Sequence, residues 1–135
     1  MSEEKFAELV DLLDVKTADS SLLWYDDGSD SRFFAQLGAF SIRIYRVSLE
    51  FGDDFDIYIE IVDENGDVID SFSDLSLKDL NTDKINYYRK MNKLYVAARR
   101  SAKGADKAID SVISELKKSK ILRVCALLRP KDQSV

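Results

Sequence analysis

The chain has 135 residues, a formal net charge of −5 and 45% hydrophobic residues. This length fits one globular domain with a real core, and one proline and five glycines are too few for long flexible linkers. The sequence has no histidine and one cysteine, Cys125, which excludes Ser-His-Asp triads, Cys/His zinc sites and internal disulfides. We therefore expect a single α+β domain over 1–135, with 131–135 as a disordered tail, and no cofactor or metal.

The N-terminal segment predicts an amphipathic helix over residues 2–14, capped by Ser2. Its apolar residues recur at helical spacing: Phe6, Leu9, Val10 and Leu13. The polar residues 15–21 predict a loop. The acidic start does not have the pattern of a signal peptide, and no apolar run approaches the length of a membrane span. The expectation is a cytoplasmic protein that makes no membrane contact.

The middle of the chain predicts an antiparallel meander of four or five strands. The strand-like segments are 22–25, 32–37, 40–51, 55–62 and 68–72. Asn65-Gly66 separates the last two and is typical of a tight hairpin in which both central residues take positive φ. Within 40–51 the apolar residues change phase after Ile44, which predicts a bulge or bend near Tyr45-Arg46.

After a short turn over 74–80, the spacing predicts a long helix over about 83–103. Asn81 or Thr82 is its expected cap, and Gly104 its C-terminal stop.

A second helix is expected over about 105–119, forming a helical hairpin with the first that packs on the sheet. Its apolar residues share one face: Ala108, Ile109, Val112, Ile113 and Leu116. The apolar segment 120–128 fits either an extension of this helix or a further strand.

Aromatic residues concentrate early in the predicted sheet. Successive residues of a strand face opposite sides, so Phe33 and Phe34 cannot both enter one core, and neither can Trp24 and Tyr25. The outward members would form an aromatic patch typical of interaction sites, unless the N-terminal helix or the C-terminal segment covers that face. We select Trp24, Phe33 and Phe34 as candidate interaction residues.

The net charge conceals a strong asymmetry. Residues 1–83 hold 6 cationic residues against 21 carboxylates, a net charge of −15, whereas residues 84–135 hold 14 against 4, a net charge of +10. One interpretation is internal pairing between basic helices and an acidic sheet. The other is two separate surfaces, each for a partner or for a second copy of the chain.

The first long helix carries a basic stripe, for which Arg89, Lys93 and Arg100 are the candidate contacts with phosphates or an acidic protein. The alternative is a solvated face. In the Arg99-Arg100 pair we expect one arginine to pair with a carboxylate of the acidic half, and the other to face solvent or anchor a partner.

Neither the acidic turns nor the Cys125 thiol forms a recognisable catalytic or metal-binding motif. The spacing of carboxylates in 26–30 and 63–67 does not match an EF-hand, and Asp53-Asp54 also fits a turn. Exposed carboxylates are poor acid–base catalysts because their pKa values are ordinary. Cys125 lies in an apolar run, which favours an inert buried thiol.

The stretch Tyr87 to Arg100 resembles a helix found in small bacterial proteins. This resemblance implies a source in bacteria or their mobile elements, and it names no activity. The sequence favours a non-enzymatic protein-interaction or regulatory module, with a protein partner or self-association. One alternative is nucleic-acid binding by the basic helix 84–103. Another is a small enzyme or ligand-binding protein with a dispersed carboxylate, Arg and Tyr site.

Overall fold

The computed structural model describes residues 3–29, 31–49 and 55–128, with side chains as far as Lys118. Its elements in chain order are α1 (Glu3–Ala18), β1 (Tyr25–Asp26), β2 (Arg32–Leu37), β3 (Phe40–Ser48), β4 (Phe55–Val62), β5 (Val68–Ser73), a 3-10 helix (Asp74–Leu80), α2 (Tyr87–Lys103) and α3 (Ala105–Leu128). The predicted α+β fold is confirmed: an N-terminal helix, a five-stranded antiparallel sheet and two C-terminal helices.

The chain divides into two compact units, Met1–Lys103 and Gly104–Val135. The first contains the sheet, α1 and α2, and the second contains α3. The single domain over 1–135 stays a prediction. The predicted cap at Ser2, the turn at 52–54 and the tail at 131–135 lie outside the described residues.

The strands follow one another in the order β1-β2-β3-β4-β5, each antiparallel to the next. Pairing between β3 and β4 runs without interruption from Ser41↔Val62 to Ser48↔Phe55, so the predicted bulge near Tyr45-Arg46 is wrong. The one register shift in the described pairing lies between Ile61 and Val62, opposite β5.

Arg46 explains the change of phase that suggested a bulge. It follows Ile42 and Ile44 on the core side of β3, and its guanidinium carbon lies 4.3 Å from the ring centroids of both Phe55 and Tyr95. A cation over aromatic faces is a favourable substitute for an apolar side chain at the margin of a core. The strand therefore keeps its alternation while the apolar pattern breaks.

The hairpin between β4 and β5 is confirmed, but its predicted geometry is wrong. The backbone N–H of Gly66 donates to the Asp63 carbonyl at 3.1 Å, and the N–H of Asp63 donates to the Asp67 carbonyl at 2.9 Å. Gly66 has a φ of +87°, whereas Asn65 does not have a positive φ. A wider turn over 63–67, which needs one left-handed residue, replaces the two-residue turn.

The core of the first unit lies between one face of the sheet and α1, α2 and the 3-10 helix. Its fully buried large side chains come from α1, the sheet, α2 and the 3-10 helix: Val10, Trp24, Phe33, Ile44, Ile57, Ile59, Leu77, Met91 and Leu94. Phe6 of α1 stacks on Phe72 of β5 with 4.2 Å between ring centroids. Because successive side chains of a strand face opposite sides, one of Trp24 and Tyr25 and one of Phe33 and Phe34 enter this core.

Helix α1 is one turn longer than predicted, since 15–18 continue it instead of forming a loop. Thr17 in that last turn is buried, and its hydroxyl oxygen accepts a hydrogen bond of 2.9 Å from the Trp24 indole Nε1–H. The helix ends at Ala18, and Ser20 in the turn that follows takes a left-handed φ of +66°. The hydrogen bond between Thr17 and Trp24 stabilises this extra turn.

Helix α2 begins at Tyr87, four residues later than predicted. Asn86 caps it, because its side-chain oxygen accepts from the Arg89 backbone N–H at 2.9 Å. Of the two predicted caps, Asn81 also contributes, since its side-chain oxygen accepts from the Tyr87 backbone N–H at 2.7 Å. Thr82 closes the preceding turn by accepting from the N–H groups of Lys84 and Ile85. The stop at Gly104 is confirmed by its φ of +67°.

Helix α2 is tied to the beginning of the sheet by two hydrogen bonds. The Trp24 backbone N–H donates to Ser101 Oγ at 3.1 Å, and the Tyr95 hydroxyl donates to the Ser31 carbonyl at 3.2 Å. Tyr95 also meets Phe33 edge to face, with 5.5 Å between centroids. These contacts fix α2 over β1 and β2 on the core side.

In the second unit, α3 runs to Leu128, so its backbone makes 120–128 an extension of the helix and not a strand. None of the described helices combines the length and hydropathy needed to cross a bilayer.

Thr17→Val should destabilise the protein by about 1–3 kcal/mol, because the buried indole N–H of Trp24 would lose its acceptor. Urea unfolding measures the change, and Thr17→Ser, which retains the hydroxyl, is the matched control. Equal stability of the valine variant and the unsubstituted protein would contradict this assignment.

Candidate interaction surface

The structure separates the predicted aromatic residues onto two faces of the sheet. Trp24 and Phe33 are 1% and 0% exposed, so both are core residues and their selection as surface contacts is corrected. Tyr25 and Phe34, their neighbours in sequence, lie on the opposite side. The reason is the alternation of strand side chains, which gives each pair one inward and one outward member.

A first row of side chains crosses the outward side of the sheet. Cross-strand pairing aligns Tyr25 with Phe34, Phe34 with Arg43, and Arg43 with Glu60. The rings of Tyr25 and Phe34 lie 5.8 Å apart. Arg43 Nη1 donates to Glu60 Oε1 at 3.1 Å in a partly buried ion pair. The row therefore passes from aromatic to charged across four strands.

A second row runs beside it through Arg32, Tyr45 and Tyr58, which are also paired across their strands. The two tyrosine rings stack 5.6 Å apart with 9° between their planes, and the Arg32 guanidinium carbon lies 4.7 Å from the Tyr45 centroid. Cross-strand aromatic pairs and cation–π contacts both stabilise such a surface.

Glu60 links the two rows. The Tyr45 hydroxyl donates to Glu60 Oε2 at 3.0 Å, while the other carboxylate oxygen accepts from Arg43. Burial raises the pKa of Tyr45 above its usual value, and the hydrogen bond to Glu60 adds to this rise. The phenol therefore stays protonated and holds the carboxylate in place.

We call these seven residues the outer sheet face: Tyr25, Arg32, Phe34, Arg43, Tyr45, Tyr58 and Glu60. Within the unit Met1–Lys103, α1, α2 and the 3-10 helix pack against the other side of the sheet, where the core lies. Tyr25 is 50% exposed and Phe34 is half-buried. Tyrosine and arginine are the residue types enriched where proteins bind one another.

Sequence reasoning selected Phe34 alone from this face. It did not select the other six, because these residues come from four strands whose register is set only by folding. A signal was present in the alternation of Tyr58 with the isoleucines of β4, which placed that ring on the outward side.

The charge asymmetry is partly internal. Lys90 of α2 forms an ion pair with Asp11 of α1, and Lys103 Nζ lies 2.6 Å from Asp26 Oδ2 beside β1. Both bridges join the basic part of the sequence to the acidic part. Lys103 makes the second of these bridges, and the pairing expected of Arg99 or Arg100 stays a prediction.

The predicted basic stripe lies on the exposed side of α2. Arg89, Lys93 and Arg100 are all exposed, and Arg99 is exposed on the neighbouring side of the helix. The buried residues of α2, among them Met91 and Leu94, face the core instead. A cationic surface therefore exists, separate from the outer sheet face.

The acidic turns use their carboxylates locally. Asp26 and Asp27 accept the backbone N–H groups of Gly28 and Ser29, and Asp63 accepts those of Asn65 and Asp67. In the part of the chain that the structure describes, no group of three or more acidic or thiol side chains is placed to hold a metal. Asp30 and Asp53-Asp54 lie outside that part.

A shallow, open groove of about 450 Å³ lies along α1. Carboxylates and apolar side chains line it: Glu4, Ala7, Glu8, Asp11, Leu12, Leu80 and Tyr87. Asp11 is already paired with Lys90. The groove does not bring an acid and a base together in a water-excluded site, as proton-transfer catalysis requires.

Comparison of the chain with models of known protein families, with curated proteins and with solved structures finds no match.

Asp56→Asn should stabilise the protein at neutral pH. Burial raises the pKa of Asp56 above 3.8, and the charge of Asp74 adds to the rise. Ionisation therefore costs more in the folded state, and this penalty grows as pH increases from below 3.8 through the folded pKa. We expect a melting temperature higher by about 1–4 °C at pH 7, with the difference disappearing near pH 3.

Thermal unfolding across this pH range measures the effect, and Glu64→Gln, at an exposed turn position, is the control. A constant difference at all pH values would show that the effect is not electrostatic.

Proposed function

We propose that this protein is a non-enzymatic interaction module, of a regulatory or accessory kind, that binds a protein partner through the outer sheet face. One observation carries the proposal. Two rows of aromatic and arginine side chains lie on the side of the sheet that α1, α2 and the 3-10 helix leave open within their unit.

The contacts within this face support recognition. Tyr45 and Tyr58 stack on each other, Arg32 lies over Tyr45, and Arg43 is held by Glu60. Side chains fixed before binding lose little conformational freedom when a partner arrives. Tyr25 and Phe34 supply apolar area, and Arg32 supplies a cation for a carboxylate of the partner.

The state of the titratable groups favours binding over catalysis. Glu60 accepts from both Arg43 and Tyr45, and the turn carboxylates accept backbone N–H groups. These carboxylates therefore hold neighbouring side chains and turns in place. The proposal includes a bacterial, cytoplasmic setting; the resemblance of α2 supports the first and the single cysteine the second.

Nucleic-acid binding by the exposed basic stripe is a second candidate. Arg89, Lys93 and Arg100 lie along one side of α2, at a spacing that suits phosphate contacts. The overall charge of −5 opposes it, because the rest of the chain repels a polyanion.

Phe34→Ala should weaken partner binding about ten-fold or more, because it removes the aromatic centre of the first row. The measurement is affinity capture from lysate of the source cells, followed by titration of the captured protein, once identified, against each variant. Phe40→Ala is the matched control, since Phe40 is an exposed phenylalanine that shares the core side of β3 with Ile42. Unchanged binding by the Phe34 variant would overturn the proposed site.

Charge reversal of Arg89, Lys93 and Arg100 to Glu tests the second candidate. If that candidate is correct, the unsubstituted protein binds a labelled 20-nucleotide probe at low salt, and the triple variant does not. Its affinity should also fall steeply between about 50 and 200 mM salt. Absence of binding at low salt removes this candidate and leaves the protein partner.

A further inference from the structure

The turn between β4 and β5 contains an asparagine whose side chain is not engaged. Asn65 and Gly66 are both exposed, and the Asn65 carboxamide forms no hydrogen bond with a residue that the structure describes. Its backbone N–H instead donates to Asp63 Oδ1 at 2.9 Å. The carboxamide can therefore rotate toward the backbone amide that follows it.

The residue after Asn65 leaves that approach open. Gly66 has no side chain, and no described atom beyond its chain neighbours lies within 4 Å of the position that a Cβ would take. A backbone can approach another group most closely at glycine. The Gly66 nitrogen is thus sterically accessible to the Asn65 side-chain carbonyl carbon.

The three other asparagines of the chain have different surroundings. The side-chain oxygens of Asn81 and Asn86 accept backbone N–H groups at 2.7 and 2.9 Å. Asn92 lies inside α2, and its Oδ1 is buried. Larger residues follow all three: Thr82, Tyr87 and Lys93. Asn65 is therefore the asparagine most open to attack by its own backbone.

Hydrogen bonds of the turn oppose this attack. The Gly66 N–H donates to the Asp63 carbonyl at 3.1 Å, which keeps the proton on the nitrogen. The Asp63 carboxylate accepts the N–H groups of Asn65 and Asp67, both at 2.9 Å. Reaction requires the turn to open, and an exposed loop opens at a lower free energy than the whole domain.

We propose that Asn65 is a site of spontaneous deamidation, and that the hydrogen bonds accepted by Asp63 set its rate. The modified residue is aspartate or isoaspartate. Either product adds a carboxylate to a turn that already carries Asp63, Glu64 and Asp67. Isoaspartate also lengthens the backbone by one methylene, so it changes the turn that joins β4 to β5.

The reaction needs only water as a co-reactant. Hydroxide removes the Gly66 N–H proton, and the nitrogen forms a bond to Asn65 Cγ. The bond from Cγ to Nδ2 breaks, and ammonia leaves with a proton taken from water, which regenerates hydroxide. Water then opens the cyclic imide at one of its two carbonyl groups. In sum, one water is consumed, one ammonia is released, and nothing is oxidised or reduced.

This inference is independent of partner binding. It uses only residues 63–67, and none of them belongs to the outer sheet face. Its measurement is a change of covalent structure, so the result does not depend on whether a partner is found.

Prolonged incubation in mildly alkaline buffer, followed by peptide mapping with mass spectrometry, measures conversion at each asparagine. Asn65 should be converted first, to both aspartate and isoaspartate, while the other three asparagines stay intact. Asn65→Gln is the control, since the longer side chain closes the corresponding ring poorly. Conversion of another asparagine ahead of Asn65 would overturn the assignment.

Asp63→Ala tests the control of the rate. It removes the acceptor of two N–H groups, so Asn65 should deamidate about two- to ten-fold faster, the ratio that corresponds to the loss of one hydrogen bond. Asp67→Ala is the matched control, because the Asp67 carboxylate accepts no hydrogen bond from a described residue. An unchanged rate in the Asp63 variant, or the same acceleration in both variants, would contradict the role of these bonds.

Unfolding gives a second measurement that needs no substitution. In a urea concentration that unfolds the protein, the Gly66 N–H loses its bond to the Asp63 carbonyl, and Asn65 should deamidate faster than in the folded protein. A folded chain that reacts as fast as the unfolded chain would show that the turn does not restrain the reaction.

Discussion

The hydrogen bonds of Trp24 organise the first unit. Its indole N–H donates to Thr17 at the end of α1, and its backbone N–H donates to Ser101 near the end of α2. Its ring is 1% exposed, so the indole also fills the core between these helices and the sheet. An unpaired polar group at this depth costs free energy, which gives the site a strong preference for one arrangement.

The position of Trp24 determines what the next residues present. With Trp24 turned inward, Tyr25 turns outward, and the pairing of β1 with β2 places it opposite Phe34. Phe33 is then inward, against Tyr95 of α2. The same alternation of inward and outward side chains thus determines both the core of this unit and its candidate binding face. No single substitution on either side changes one without the other.

The sequence was sufficient for the element order because alternation and helical spacing are local signals. The bounds of β2 and the first residue of α3 were predicted correctly from these signals. Two of the errors share a physical cause, which is a tertiary contact that the apolar spacing does not encode. α1 extends to reach Trp24, and the apolar phase of β3 breaks because Arg46 packs on Phe55 and Tyr95. Neither contact follows from the alternation or the helical spacing of apolar residues on which the predictions rest.

The candidate site was less predictable than the fold for the same reason. Alternation shows that one of Phe33 and Phe34 is outward, but both are phenylalanine, so local pattern does not decide which. The second row was harder still to predict, because the stack of Tyr45 on Tyr58 exists only in the register that joins β3 to β4. A strand shifted by one residue would face its tyrosine toward the core. The surface that we propose for recognition is therefore a property of strand pairing, and its rigidity follows from the same backbone hydrogen bonds that hold the sheet together.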